Sequence, residues 1–207
     1  MRKWWYRGYH GWEGQRGAIT IPVARSVCIF RRVFKIKEKG GKAQYAMQHV
    51  FAAVDQMLAL NVIRPCCATP GQFLSPFFLL PKPDGDTRFV LNLKRLNEHL
   101  LTDSFKMEDG RTAANLLTAG DFMIKVDLEK PYYSVPLHSS STKFFRFSVQ
   151  GQCYEFLCLP NGLNLAPRIF TKILRPVFGY LRNQGFRSVC YLDDFFVPGA
   201  VGGRVCR

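Results

Sequence analysis

The segment that most limits what this chain can become is Ser188-Val189-Cys190-Tyr191-Leu192-Asp193-Asp194-Phe195-Phe196-Val197. Two short runs rich in β-branched and aromatic residues flank two adjacent carboxylates, the pattern of a β-hairpin with acids at its tip. Neighbouring carboxylates repel, and holding them together is worthwhile chiefly where a cation sits between them. A second segment, Ile124-Lys125-Val126-Asp127-Leu128, brings another acid to the end of an apolar strand. Three carboxylates on two strands are a usual means of holding a pair of magnesium ions for phosphoryl transfer. Taken alone, the Asp-Asp pair fits a solvated hairpin tip equally well, because Asp is a good turn residue.

Charge narrows the partner. The 207 residues carry 29 Lys plus Arg against 15 Asp plus Glu, a net +14. That balance favours a polyanion, with nucleic acid first and an anionic membrane surface second. Residues 1–42 hold eleven of the basic residues and only Glu13 and Glu38 as acids, so this leader carries +9 of the excess. Trp4, Trp5, Tyr6, Tyr9 and Trp12 are interleaved there. The mix suits stacking on single strands, and it equally suits a poorly ordered leader with no fixed role.

Seven cysteines without a CxxC pair and four scattered histidines give no zinc pattern. The odd cysteine count and a basic N-terminus lacking an apolar core point to a reduced compartment, cytoplasm or nucleus, and against secretion. The longest apolar run, 73–80, is interrupted by Ser75 and Pro76 and falls short of the ~20 residues of a membrane span. A membrane partner is therefore not expected.

Met47, Val50, Phe51, Val54, Met57 and Leu58 follow helical spacing and predict an amphipathic helix over 43–60, ended by Asn61 and Pro65. Strand-like runs at 73–80 and 87–91 are joined by a Pro- and Asp-Gly-containing turn. A helix is expected over 107–117. Alternation over Phe122, Ile124 and Val126 leaves one strand face apolar while the other delivers Asp127. Residues 144–149 and 152–157 flank Gly151 as a hairpin. Pro167 suits the first turn of a helix running to Leu181, with Pro176 expected to kink it. The stretch 198–203 reads as the start of a flexible tail. The interleaving predicts an α+β domain, an antiparallel sheet covered by helices on one side.

Seven motifs in order make 73–197 resemble the fingers and palm of a reverse transcriptase. Its nearest likeness is to gypsy-like and tyrosine-recombinase (DIRS-like) retrotransposons. They are Phe73-Leu74-Ser75-Pro76, Pro81-Lys82-Pro83-Asp84-Gly85, Arg88 through Asn97, Val126-Asp127-Leu128, Tyr154-Glu155-Phe156, Leu159-Pro160-Asn161-Gly162-Leu163 with Ala166-Pro167-Arg168-Ile169-Phe170-Thr171, and Tyr191-Leu192-Asp193-Asp194.

The resemblance implies a right-hand polymerase of α+β class: a basic leader at 1–42, fingers-like 43–120, palm 121–198, a tail at 199–207, and no thumb. It implies that Asp127, Asp193 and Asp194 hold two Mg2+ ions, with Mn2+ as a substitute, about 3.5–4 Å apart. The Leu128 carbonyl would be a further ligand. Lys82 and Arg88 would close over a deoxynucleoside triphosphate, and Tyr132 would lie under its sugar. Asn161 and Gly162 would join the nucleotide site, and Gly162 with the Ala166-Pro167 turn would pack near the template and nascent pair. The implied partners are an RNA or DNA template with primer, and other element-encoded domains in trans. Tyr132 and Tyr191-Leu192 argue against an RNA-dependent RNA polymerase, the third reading. A nucleic-acid-binding relic without turnover is the alternative to an enzyme.

Three departures stand out. Lys130 and Pro131 occupy positions where the family has an acid and a small residue whose N–H groups cradle the triphosphate, and Pro131 has no N–H to donate. Asn161 replaces a Phe or Gln, and its shorter side chain is expected to leave the template side loose. Only thirteen residues follow Asp194, so a truncated copy is expected, its acid hairpin near an exposed sheet edge.

Overall fold

The computed structural model describes residues 17–23, 41–81, 87–101, 105, 107–108, 110–192 and 194–199. In chain order they form α1 (Gly41–Ala59), β1 (Ile63–Cys66), β2 (Phe77–Pro81), β3 (Thr87–Leu91), α2 (Lys94–Asn97), α3 (Gly110–Leu116), β4 (Phe122–Asp127), a 3-10 turn (Pro131–Ser134), α4 (Ser139–Thr142), β5 (Arg146–Val149), β6 (Gln152–Phe156), α5 (Ala166–Asn183), β7 (Val189–Tyr191) and β8 (Asp194–Gly199). Every strand pair is antiparallel, in sheets ordered β1-β6-β5, β2-β3 and β4-β8-β7, an α+β fold. Two compact units result: Met1–Leu101 with Tyr132–Asn164, and Thr102–Pro131 with Leu165–Arg207.

In the first unit, Phe77 and Phe89 of the β2-β3 hairpin stack at 4.9 Å, and Phe89 meets Phe147 of β5 at 4.9 Å. Phe147 in turn packs on Phe156 of β6 at 5.9 Å. This ring chain joins the hairpin to the three-stranded sheet, each pair contributing about 0.5–1.5 kcal/mol beyond area burial. Helix α1 covers β1 and β3 with Val50, Val54 and Met57, all buried. The β5-β6 hairpin turns on Gln150 and Gly151, with φ of 48° and 90°. Positive φ at both central residues matches the right-handed twist of the strands, which explains Gly at the second position.

The polar row of this sheet crosses all three strands. Arg64 of β1, Glu155 of β6 and Arg146 of β5 stand in register. Glu155 accepts from Arg64 Nε at 2.8 Å and from Arg146 Nη2 at 2.6 Å, while Arg146 also reaches Thr69 Oγ1 at 2.7 Å and Gln72 Oε1 at 2.8 Å. Burial pushes the Glu155 carboxyl up, but hydrogen bonds from the two guanidiniums outweigh it and hold it below its usual range.

Several expectations are corrected here. The leader is not uniformly without a place: Ala18, Ile19 and Ile21 are buried, Ile19 bridges to Leu137, and Val23 bridges to Leu100. The alternating apolar run Ala18-Ile19-Thr20-Ile21-Pro22-Val23 supplies the hydrophobic drive that the charge count obscured. Its aromatic residues at 4–12 lie outside the described residues. Pro65 does not merely end a helix; it sits in β1, an edge strand, where a missing N–H costs no ladder bond. The run 73–80 is a strand only from Phe77, because Pro76 cannot donate to a ladder. Pro198 and Gly199 belong to β8, paired with Met123 and Phe122, rather than to a tail.

In the second unit, β8 is central, and α5 packs on β7 and, through Phe178, on Phe195 at 5.1 Å. Strand β4 lies on the other edge, and its apolar face is exposed rather than covered, with Ile124 at 48% and Val126 at 43%. Arg187 ties the entry to β7 to the approach to β4: its guanidinium donates to Leu116 O, Thr118 Oγ1 and Asp121 Oδ1, each at 2.7 Å.

Removing the buried acid of the row, Glu155→Ala, leaves Arg146 buried without its counter-charge. It is expected to cost about 3–5 kcal/mol in urea unfolding. The Arg187 and Thr118 hydrogen bonds hold the Asp121 carboxyl down at about 2. Their contribution is complete above the unfolded carboxyl value of about 4 and is lost as pH falls toward about 2. Thermal melts of Asp121→Asn should therefore lie below wild type at pH 7 and converge with it near pH 2.

Candidate active site

Asp127 ends β4 and Asp194 begins β8, and the two are direct cross-strand partners. Directly opposed side chains stand about 4.5–5.5 Å apart at Cβ, close enough for like charges to destabilise the pair. Lys125 lies two residues before Asp127, on the same face of β4, and its Nζ is 2.8 Å from Asp194 Oδ1. Side-chain exposures of 58% for Lys125 and 36% for Asp194 mean that solvent screens this ion pair to about 1 kcal/mol or less. One lysine therefore offsets only part of the repulsion, and the opposed carboxylates still favour a further cation.

The hairpin places the acids by a strained turn. Tyr191 pairs with Asp194, so residues 192 and 193 alone make the connection, and Leu192 adopts φ 56°. A leucine in the left-handed region costs roughly 1–2 kcal/mol. Asp193 lies outside the described residues. Among the described residues no cluster of three Asp, Glu, His or Cys side chains could hold a metal ion. The donor set that is described, two carboxylates and the backbone carbonyl of Leu128 directly after Asp127, is all oxygen and fits a hard cation such as Mg2+.

The loop beyond Asp127 has its own geometry. Lys130 adopts φ 50° and its ammonium is 3.4 Å from the Glu129 carboxylate. Pro131 opens the 3-10 turn, where a missing N–H breaks no internal bond. The proline is thus locally well placed while offering no donor to a ligand.

Four other residues singled out from the sequence lie in the first unit. Arg88 is exposed on β3 opposite Leu80. Tyr132 is half-buried in the 3-10 turn, where its carbonyl accepts from Val135 N at 3.1 Å. Asn161 and Gly162 form an exposed turn after Pro160. Gly162 has φ +91°, and a Cβ there would meet Leu91 O at 3.3 Å, so both conformation and space favour glycine. Lys82 lies outside the described residues.

Sequence reasoning missed the groups that hold these residues. Asn97 clasps the turn, donating from Nδ2 to Gly162 O at 2.9 Å and accepting from Asn164 N at 3.1 Å. Tyr133, one residue beyond the expected aromatic, shares a side-chain hydrogen bond with Asn161 near Arg88. Burial raises the Tyr133 phenol above its usual value, against the pull of Asn161 and Arg88. Asn161 is thus tied by its side chain to Tyr133. Lys125 could have been found from its i−2 spacing to Asp127; Asn97 closes the 88–97 motif, but nothing local marked it or Tyr133 as a clasp on the 161–164 turn.

A family model described as reverse transcriptase (RNA-dependent DNA polymerase) matches residues 80–199. The retrovirus-related Pol polyprotein from transposon gypsy of Drosophila melanogaster is 30% identical over 152 residues, 70% of this chain and 14% of that protein. That from transposon opus of the same organism is 28% identical over 151 residues, again 70% of this chain and 14% of that protein. The chain thus spans about one-seventh of the length of these relatives. A solved foamy viral protease-reverse transcriptase in complex with dsDNA superposes with a TM-score of 0.66 at 23% identity, covering 93% of this chain and 39% of that one. No helix among the described residues is long and apolar enough to cross a membrane.

Proposed function

Because the chain belongs to the reverse transcriptase (RNA-dependent DNA polymerase) family, we propose that it carries the fingers-palm site for template-directed addition of deoxynucleotides to a primer 3′-hydroxyl. The observation that supports this most is the opposition of Asp127 and Asp194 across β4 and β8, inside the matched segment. Asp127, Asp194 and Asp193, with the Leu128 carbonyl, are the residues that would hold Mg2+. Such ions, when bound, supply Lewis acidity to the attacking hydroxyl and the pyrophosphate leaving group. Before any metal arrives, Lys125 keeps the acid pair partly neutralised.

The remaining residues bind and orient. Arg88, together with Lys82, neutralises the triphosphate as charge develops on it. Tyr132 packs under the deoxyribose and disfavours a 2′-hydroxyl. The Asn161-Gly162 turn, held by Asn97 and Tyr133, supports the nascent base pair. On this reading residues 43–120 serve as fingers and 121–198 as palm, and the partners are a primed RNA or DNA template and deoxynucleoside triphosphates, in the cytoplasm or nucleus. The dsDNA held by the foamy viral relative and the +14 charge of this chain support a nucleic-acid partner. Pro131 favours the second reading, a copy that binds nucleic acid without turnover, because it removes a donor at the expected triphosphate cradle.

Primer extension on an RNA template with deoxynucleotides and Mg2+ tests the first reading. Asp194→Asn should lower extension by more than about 100-fold, the upper range for residues that only support a metal. Extension unaffected by that change would exclude the acid site, and absent extension with retained duplex binding would establish the second reading. Replacing Lys130-Pro131 by Asp-Ala restores one backbone donor. It should lower the nucleotide KM roughly three- to tenfold, as one net hydrogen bond allows; an unchanged KM would remove Pro131 from the account.

A further inference from the structure

Among the described residues strand β7 pairs with β8 on one side and with no strand on the other, leaving that edge's backbone groups to other partners. In the two-residue hairpin, Tyr191 and Asp194 form the closing pair, which turns the N–H and C=O of Cys190 away from β8. Two side chains meet that edge. Glu108 Oε2 accepts from Cys190 N at 2.9 Å, and Arg182 donates to Ser188 O from Nη2 at 2.8 Å and from Nε at 3.2 Å. Glu108 Oε1 and Arg182 Nη2 close the frame at 2.6 Å. The Cys190 thiol then reaches forward to Leu192 O at 3.8 Å, inside the strained turn. Burial, with Glu108 beside it, pushes that thiol up to about 11, which keeps the donating proton in place at neutral pH.

We propose that Glu108 and Arg182 are positioning residues for the acid hairpin. Their ion pair occupies the edge of β7 that no described strand pairs, holding β7 in the register that sets Asp194 opposite Asp127. Arg182 comes from the last turn of α5 and Glu108 from the segment before α3, so the edge is gripped from two places in the chain. With side-chain exposures of 42% and 30%, the pair acts more through the geometry it imposes than through its own energy. A mobile β7 edge would let the Leu192 turn relax, and with it the placement of the carboxylates. The positioning role rests on the reading of Asp127 and Asp194 as a cation-binding active site.

The test is amide hydrogen exchange on the isotopically labelled full chain, combined with Mn2+ titration read as paramagnetic broadening at the Leu192 and Val126 amides. Glu108→Ala should speed exchange at Cys190 by about tenfold to 100-fold, the range for a lost hydrogen bond to a charged group. Exchange should stay unchanged at Phe156, whose N–H donates to Phe145 O in the other unit. The Mn2+ midpoint should rise at least about threefold. Glu108→Gln, which keeps an oxygen acceptor, should recover most of the protection, and Arg182→Lys should give a milder form of the same selective pattern if the alanine variant does not fold. Cys190 exchange and a Mn2+ midpoint both at wild-type values in Glu108→Ala would overturn the proposal. If the wild-type chain binds no Mn2+ while Cys190 still responds, the acid-site reading fails and the brace is an edge cap alone.

Discussion

Two carboxylates held face to face on neighbouring strands are the constraint that the second unit is arranged around. Repulsion between Asp127 and Asp194 works against the register that opposes them. That register is held by the apolar pairs behind them, Val126 with Phe195 and Ile124 with Val197, and by Lys125 reaching diagonally to Asp194. Because side chains alternate with a period of two, a one-residue slip of β4 would turn Asp127 to the opposite face and break all three contacts together. The arrangement is therefore all or nothing. The three short strands described for this sheet maintain it by tying strand entries with side chains, Arg187 to Asp121 near β4 and Glu108 with Arg182 at β7.

The first unit answers a different demand, a rigid frame under exposed polar residues. Its ring chain Phe77-Phe89-Phe147-Phe156 and the Arg64-Glu155-Arg146 row lie in or against one sheet. Its buried pair, Glu155 with Arg146, contributes little net energy against a hydrophobic replacement, yet losing one of the two is costly, while Arg64 is exposed. The row consequently fixes the register of β1, β6 and β5 more than it deepens stability. From this frame Asn97 clasps the Asn161-Gly162 turn, and Tyr133 ties Asn161 near Arg88.

Elements that announce themselves locally were legible in the sequence. Helical spacing gave α1, the Pro at its start gave α5, and strand-like runs flanking Gly151 and the Asp193-Asp194 pair gave the hairpins β5-β6 and β7-β8. The opposition of Asp127 and Asp194 was legible as chemistry, since carboxylates ending two apolar strands suggest a shared cation. What could not be read was whatever depends on contacts distant in sequence. Strand β1 was hidden by Pro65, acceptable only because the strand is an edge. The burial of residues 18–21 was masked by the charge around them. Glu108 and Arg182 are 74 residues apart and neither lies in a period that singles it out.

Strain is spent close to both acids. Lys130 follows Asp127 by three residues and Leu192 precedes Asp194 by two, and both adopt left-handed backbone at φ 50° and 56°. Non-glycine residues persist there only when their surroundings over-determine them. At Leu192 the surroundings are visible: the two-residue closure by Tyr191 and Asp194, the Cys190 thiol on the Leu192 carbonyl, and the Glu108 contact one residue earlier. At Lys130 they include a 3.4 Å ion pair with an exposed neighbour and a proline that opens the next turn. The two acids are thus held in different ways. Asp194 is presented by a braced turn, whereas Asp127 is presented by its place at the end of β4, with the left-handed Lys130 three residues on.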